Sequence, residues 1–139
     1  RLKTDEQLFN LVRPLYSSSI SDEKIKKVIP LAKERLVKVN DIINLTNFIF
    51  EKPTYDENPG INKQFTLEAL AALESSDWTK ESIESNLLSV TSKNNFHRGD
   101  FFMSLRLAVS GQKVTPPLTE SMLIIGKDEV IQRLRSFAS

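Results

Sequence analysis

The chain has 139 residues, 40% hydrophobic and 27% charged, enough for one compact domain or for two small subdomains sharing an interface. With no cysteine and a single histidine, His97, it excludes disulfides, thiolate metal centres and a zinc site built from imidazoles. Its net charge of +1 conceals an uneven distribution: residues 24–38 carry six basic side chains against one acidic, residues 51–84 three against eight, and residues 93–135 seven against four.

Two basic ends around an acidic middle fit a polyanion that touches two separated segments, and they equally fit a pair of solvated helix faces. Charge alone leaves both readings open. No apolar run approaches the roughly 20 residues that span a bilayer, and no signal-peptide pattern opens the chain. An intracellular protein with no membrane partner is expected. The opening "RLKTDEQ", without a methionine, reads as the start of a fragment of something larger.

Helical signals follow one another along the chain. "TDEQLFNLVRPL" has Thr4 and Gln7 in capping-box spacing, with Leu8, Leu11, Val12 and Leu15 at helical intervals. "SDEKIKKVIPLAKERL" starts at Ser21, places Asp22 and Glu23 in the first turn where the helix dipole favours them, and sets Ile25, Ile29, Ala32 and Leu36 in one stripe. Pro30 is expected to kink or split it. "NDIINLTNFIF" has apolar residues on too many sides for one face and predicts a helix buried on most of its surface. Its Asn44-Leu45-Thr46 has the glycosylation pattern, which is discounted in a chain without cysteine or signal peptide. "EKPTYDENPGIN", residues 51–62, has two prolines, a glycine and no period, and is the candidate linker.

Beyond it, Thr66 is the expected cap of "LEALAALESS" and Thr79 that of "KESIESNLLSVTSK", with Trp78 anchoring the turn between them. "NNFHRGDFFMSLRLAVSG" reads as a loop followed by a helix that Gly111 terminates. "PPLTESMLII" and "KDEVIQRLRSF" form two more helices joined at Gly126 and Lys127. No alternating strand pattern or internal repeat emerges, so the predicted class is all-α, in two helical subdomains over 1–53 and 54–139.

Catalytic signatures are missing. The sequence contains no glycine-rich phosphate loop, no dinucleotide fingerprint and no nucleophile elbow. Its carboxylates fall at helix starts and on polar faces, which suits solvation better than acid/base chemistry. His97 is expected in a loop, and the Arg98-Gly99-Asp100 tripeptide is too short a match to argue adhesion. Arg106 is different. Leu105, Leu107, Ala108 and Val109 would bury most of its helix, so the guanidinium must either reach the surface along its stem or meet an acceptor. A fixed guanidinium beside exposed backbone groups and a rigid Pro-Pro turn is one way a helical protein reads an unpaired base. Spacing alone does not separate that role from a snorkelling arginine.

The run "SLRLAVSGQKVTPPLTESMLIIGKDEVIQRL" resembles the C-terminal signature of bacterial and mitochondrial glutamyl-tRNA synthetases, where a Leu-Arg-x-Ala-x-(Thr/Ser)-Gly turn precedes a Pro-x-Leu-x-Glu segment and a Leu-Gly-Lys-Glu-like junction. "KIKKVIPLAKERLVKVNDIINLTNFIF" is more loosely similar to the same family's preceding helical domain. Here Ser104 stands for the usual proline, Ser110 for the usual threonine and Ile125 for the usual leucine, changes that touch packing more than donors. The resemblance implies an anticodon-binding region whose Arg106 and Leu118 lie at the anticodon and whose Arg35 contacts the third anticodon base. An arginine donates to the O2 and N3 acceptors of cytosine, whereas guanine presents donors, which separates glutamate from glutamine anticodons.

The basic side chains Lys26, Lys27, Lys33 and Lys38 are expected to meet phosphates rather than bases. The family's class I catalytic signatures are absent from this sequence, so the fragment is expected to be non-catalytic and to hold no cofactor or metal of its own. The resemblance implies a parent glutamate–tRNA ligase that uses ATP and magnesium in an N-terminal catalytic domain. The implied partners are the anticodon stem-loop of a glutamate-accepting tRNA and that catalytic domain, in a monomer located in a bacterial cytoplasm, ahead of the mitochondrial matrix. The competing reading is a helical protein-interaction module for an acidic protein partner.

Overall fold

A computed structural model describes residues 3–57 and 59–138. The extreme ends of the expected 1–53 and 54–139 units, and Asn58 of the expected linker, lie outside the described residues. Within them the chain forms eight α-helices and no strand.

Local chemistry sets most of the boundaries. Helix α1, Asp5–Val12, begins with the reciprocal Thr4–Gln7 capping box. A single 3₁₀ turn, Arg13–Leu15, follows. Only Leu8 and Val12 of the expected α1 face are buried; Leu11 and Leu15 are 48% and 41% exposed, because burial centres on the Leu8–Val12 line and the tighter turn carries the chain away from it. Helix α2, Asp22–Lys33, starts where the Ser21 side chain accepts from the Lys24 N–H, and it buries Ile25, Val28, Ile29 and Ala32. It runs unbroken through Pro30, which corrects the expectation of a split. The proline removes one backbone bond, to the Lys26 carbonyl, and the buried stripe on either side holds the helix together.

Helix α3, Ile42–Phe50, is covered on most sides as its composition requires, and the Tyr16 hydroxyl meets Thr46 Oγ1 at 2.6 Å. Thr46 Oγ1 in turn donates to the Ile42 carbonyl at 2.7 Å, so Tyr16 supplies the proton for their shared bond.

The segment after α3 has no regular structure, but it is docked rather than free. Tyr55 donates its hydroxyl proton to the Ala108 carbonyl at 2.6 Å, and the Asn62 N–H donates to Ser104 Oγ at 2.8 Å. Asn62 also corrects a boundary. It, not Thr66, caps helix α4, Lys63–Glu74, accepting from the Phe65 N–H, while Thr66 lies one turn inside with its hydroxyl bonded to the Asn62 carbonyl.

Helix α5, Lys80–Asn94, is capped by Thr79 as expected and ends at Asn95 in the left-handed region. Trp78 does more than anchor the preceding turn: its indole N–H reaches the Met122 carbonyl at 3.2 Å. Helix α6, Arg98–Ser110, is capped by His97, which lies just outside it and whose Nδ1 accepts from the Asp100 N–H, and Arg98-Gly99-Asp100 forms the first helical turn. Helices α7, Leu118–Ile125, and α8, Lys127–Arg135, meet at Gly126, whose φ of 99° no other residue would adopt without strain.

The packing is organised around α7, which touches α2 and α3 from the first part of the chain and α5 and α8 from the second. Helix α4 lies against α5, α6 and α8. One continuous apolar cluster joins Ile25, Ile29 and Ile42 to Leu73, Phe101, Met122 and Leu134.

Two cations stitch the junctions. Arg133, only 5% exposed, donates to the Val109 carbonyl at the end of α6 and to the Glu51 carbonyl just past α3, and it pairs with Glu129 at 2.9 Å. Lys127 Nζ donates to the Glu74 and Ser76 carbonyls, closing the C-terminus of α4. A positive group at a helix C-terminus satisfies carbonyls that have no partner within the helix and complements the dipole.

Candidate nucleic-acid interface

The end of α6 and the start of α7 are held by a turn in which almost every polar atom is used. Gly111 has φ +69°, and a Cβ there would fall 2.5 Å from the Thr54 carbonyl oxygen, so both the conformation and the close approach demand glycine. Ser110 Oγ lies 2.7 Å from the Arg106 carbonyl and accepts from the Gln112 N–H at 3.0 Å. The Gln112 side chain donates to the Asn44 carbonyl on α3 at 3.0 Å. The turn is thereby tied to the first part of the chain.

Arg106 is half-buried beside this turn and meets a side-chain acceptor there. Its helix neighbours Leu105, Leu107 and Ala108 are buried, and its Nε donates to Thr115 Oγ1 at 3.0 Å. Among the described residues its two terminal nitrogens have no hydrogen-bond or ion-pair partner. Burial, aided by the charge of Arg35, lowers its pKa from the ordinary value. A guanidinium stays protonated in a protein, so the site carries an uncompensated, fixed positive fork.

The fork borders an open cavity of about 480 Å³ between α5, α6 and α7. Phe102 and Leu88 supply apolar wall, and Pro117 and Leu118 open α7 at its edge. Leu118 is only 8% exposed. Pro117 gives α7 no side-chain cap, so the first N–H groups of that helix keep their donor capacity.

The structure therefore brings Arg106 and Leu118 to one cavity and sets Arg35 within electrostatic range of Arg106. Arg35 sits on the exposed turn that ends α2, with only a 3.9 Å approach to Glu34. The four lysines divide. Lys33 Nζ is paired with Asp5 at 2.9 Å, and Lys26 Nζ stands 4.9 Å from the centre of the Phe9 ring, so both turn toward α1. Lys27 and Lys38 are exposed and form no ion pair among the described residues.

Sequence reasoning missed Thr115, which orients Arg106, and Phe102, which walls the cavity. Position next to Pro116 was the one available signal for Thr115; nothing local marks Phe102.

The fold is all-helical, with an oriented arginine and a Pro-Pro turn beside an open cavity, and the comparisons with known proteins give its class. Residues 7–138 match the model of the Anticodon binding domain family, and the chain belongs to that family. It is homologous to the C-terminal region of glutamate–tRNA ligases: it is 29% identical over 154 residues to that of Borreliella burgdorferi and 30% identical over 138 residues to one of Fervidobacterium nodosum. These alignments cover 97% and 96% of this chain but 31% and 29% of the relatives. Among solved structures, a glutamate tRNA ligase from Elizabethkingia meningosepticum, in complex with its amino acid, superposes with a TM-score of 0.81 at 29% identity, over 98% of this chain and 29% of that one. The chain thus spans about a third of the length of the curated relatives it matches.

Among the described residues, no helix is long and apolar enough to cross a membrane. Nor do three His, Asp or Glu side chains among them converge where a divalent ion could be held.

Proposed function

We propose that this chain binds the anticodon loop of a glutamate-accepting tRNA and positions it for a catalytic domain of a longer glutamate–tRNA ligase. The supporting observation is Arg106, held through Nε by Thr115 and, among the described residues, without partners for its two terminal nitrogens, at the cavity that Leu118 also lines. A guanidinium fixed in this way donates to acceptors on a base edge, and the apolar wall takes the base face. Arg35, beside it in charge terms, is the reader of the third anticodon base. Lys27 and Lys38 meet phosphates, joined by Lys26 and Lys33 where the RNA displaces their present partners. The units 1–53 and 54–139 act as the two halves of this surface, tied by Gln112–Asn44 and Arg133–Glu51. ATP and magnesium belong to the longer enzyme's ligation reaction, outside this chain.

The test is binding of this chain to glutamate and glutamine anticodon stem-loops across a range of salt concentrations. Salt-sensitive binding with a base-dependent component supports the reading. Binding that ignores the loop sequence would instead favour a basic module for an acidic protein.

A further inference from the structure

Residues 112–116 lead from the end of α6 into α7 and include Thr115, the partner of Arg106. Among the described residues they make no backbone–backbone hydrogen bond. Three side chains hold them instead. Ser110 Oγ accepts from the Gln112 N–H and lies 3.0 Å from the Gln112 carbonyl oxygen. The Thr115 hydroxyl accepts from Arg106 and donates to the Pro116 carbonyl. The third is Gln112, whose Nε2 donates to the Asn44 carbonyl on α3 at 3.0 Å and to the Val114 carbonyl at 3.4 Å.

Ser110 and Thr115 bond only to the end of α6 and to the connection itself. Among the described residues, Gln112 is the one side chain whose hydrogen bonds tie this connection to another part of the molecule. Its anchor is firm, because α3 is set in the core by Ile42, Phe48 and Ile49. The stretch it anchors is not held by packing: Lys113 is exposed and Val114 is 64% exposed, directly before the buried Thr115. The two amide protons of a glutamine match the two carbonyls it meets, where a glutamate would set acceptor against acceptor.

Resting on the anticodon-reading proposal above, we propose that Gln112 is a positioning residue for Arg106: by clamping the connection at Val114 to the Asn44 carbonyl of α3, it fixes where Thr115 meets the arginine Nε. Asn44 belongs to the same part of the chain as Arg35, so the clamp also sets Arg106 in register with the other arginine of the interface.

The experiment compares the unsubstituted chain with Gln112→Met, which keeps length and neutrality but has no donor, and with Gln112→Lys, which returns a donor with enough reach. The first readout needs no RNA. It is the rate at which the Arg106 Nε–H exchanges with water, followed by NMR on the ¹⁵N-labelled chain and assigned by its loss in Arg106→Lys. Exchange should be about fivefold faster in Gln112→Met, the factor one net hydrogen bond represents, and should return to within about twofold in Gln112→Lys. The Arg133 Nε–H, bonded to Glu129 at 2.9 Å, should not change in either. The second readout is the affinity for a glutamate anticodon stem-loop divided by that for the same stem with its loop shuffled, a ratio that cancels the charge lysine adds. It should fall about fivefold in Gln112→Met and recover in Gln112→Lys.

Unchanged Arg106 exchange in Gln112→Met would overturn the proposal. So would faster exchange at Arg106 and Arg133 alike, which would mark a general loss of stability, or faster exchange that lysine does not reverse. A preference for the glutamate loop that survives Gln112→Met intact would also overturn it and leave the anticodon reading standing. If Arg106 alone exchanges faster while the unsubstituted chain binds both loops equally, the anticodon reading fails and the link from Gln112 to Arg106 stands.

Discussion

The Nε of Arg106 donates to the Thr115 hydroxyl at 3.0 Å, and that hydroxyl donates onward to the Pro116 carbonyl at 2.7 Å. A side chain of α6 is thus oriented by the turn that leads into α7. Thr115→Val removes both bonds while keeping the shape. The guanidinium then samples more rotamers, and stem-loop affinity should fall by about 1 kcal/mol. Thr115→Ser should restore it. Isothermal titration of the three proteins with one stem-loop checks this; equal affinities would mean that Thr115 does not orient the arginine.

Arg133 should govern stability rather than binding. Its guanidinium joins α8 to the end of α6 and to the residue just past α3, and removing it leaves two carbonyls and Glu129 without their donor. Arg133→Ala should cost about 3 kcal/mol in urea unfolding, the scale for breaking a buried pair. RNA affinity per folded molecule should be unchanged. A cost below about 1 kcal/mol would show that water replaces the arginine there.

The lysines should separate in their salt dependence. Lys27 and Lys38 are uncommitted, so replacing both with alanine should lower the slope of log affinity against log salt, for every RNA alike, by about 0.7 to 0.9 for each phosphate they no longer neutralise. Lys33 is held by Asp5 and Lys26 lies over Phe9, so replacing these two should change the slope less. An unchanged slope in the Lys27/Lys38 variant would mark those residues as merely solvated.

Discrimination at the third anticodon base is expected from Arg35. Arg35→Gln, able both to donate and to accept, should reduce the preference for a C-ending over a G-ending loop by about 1 to 2 kcal/mol. Lys33→Gln, at a position already tied to Asp5, serves as the control and should leave the ratio unchanged. If the control shifts the ratio and Arg35→Gln does not, the base is read half a turn away on α2.

What the sequence reveals follows the range of the interactions. Thr4, Ser21, Thr79 and Gly111 act on backbone groups within a few residues, so the spelling of the chain marks the helix ends they set. Asn62 and Thr66 are polar residues one turn apart, and local spelling does not choose between them as a cap. What favours Asn62 is partly remote: its own N–H is met by Ser104, 42 residues on. Arg133 and Lys127 bond mainly to carbonyls, which carry no side-chain signature, so their structural roles are invisible in the sequence. At the interface, Arg106 stands out because a charge amid leucines needs a reason. Phe102 does not, since a phenylalanine in an apolar helix looks the same whether or not a cavity opens beside it.

The most direct test is the affinity of this chain and of Arg106→Ala for a glutamate anticodon stem-loop and for the same stem with its loop shuffled. The unsubstituted chain should prefer the glutamate loop, and Arg106→Ala should weaken binding to that loop by about 1 to 3 kcal/mol, much less to the shuffled one, with its helical circular dichroism intact. Equal weakening on both loops, or none on either, would contradict a base-reading role for Arg106 and reduce the surface to a nonspecific basic face.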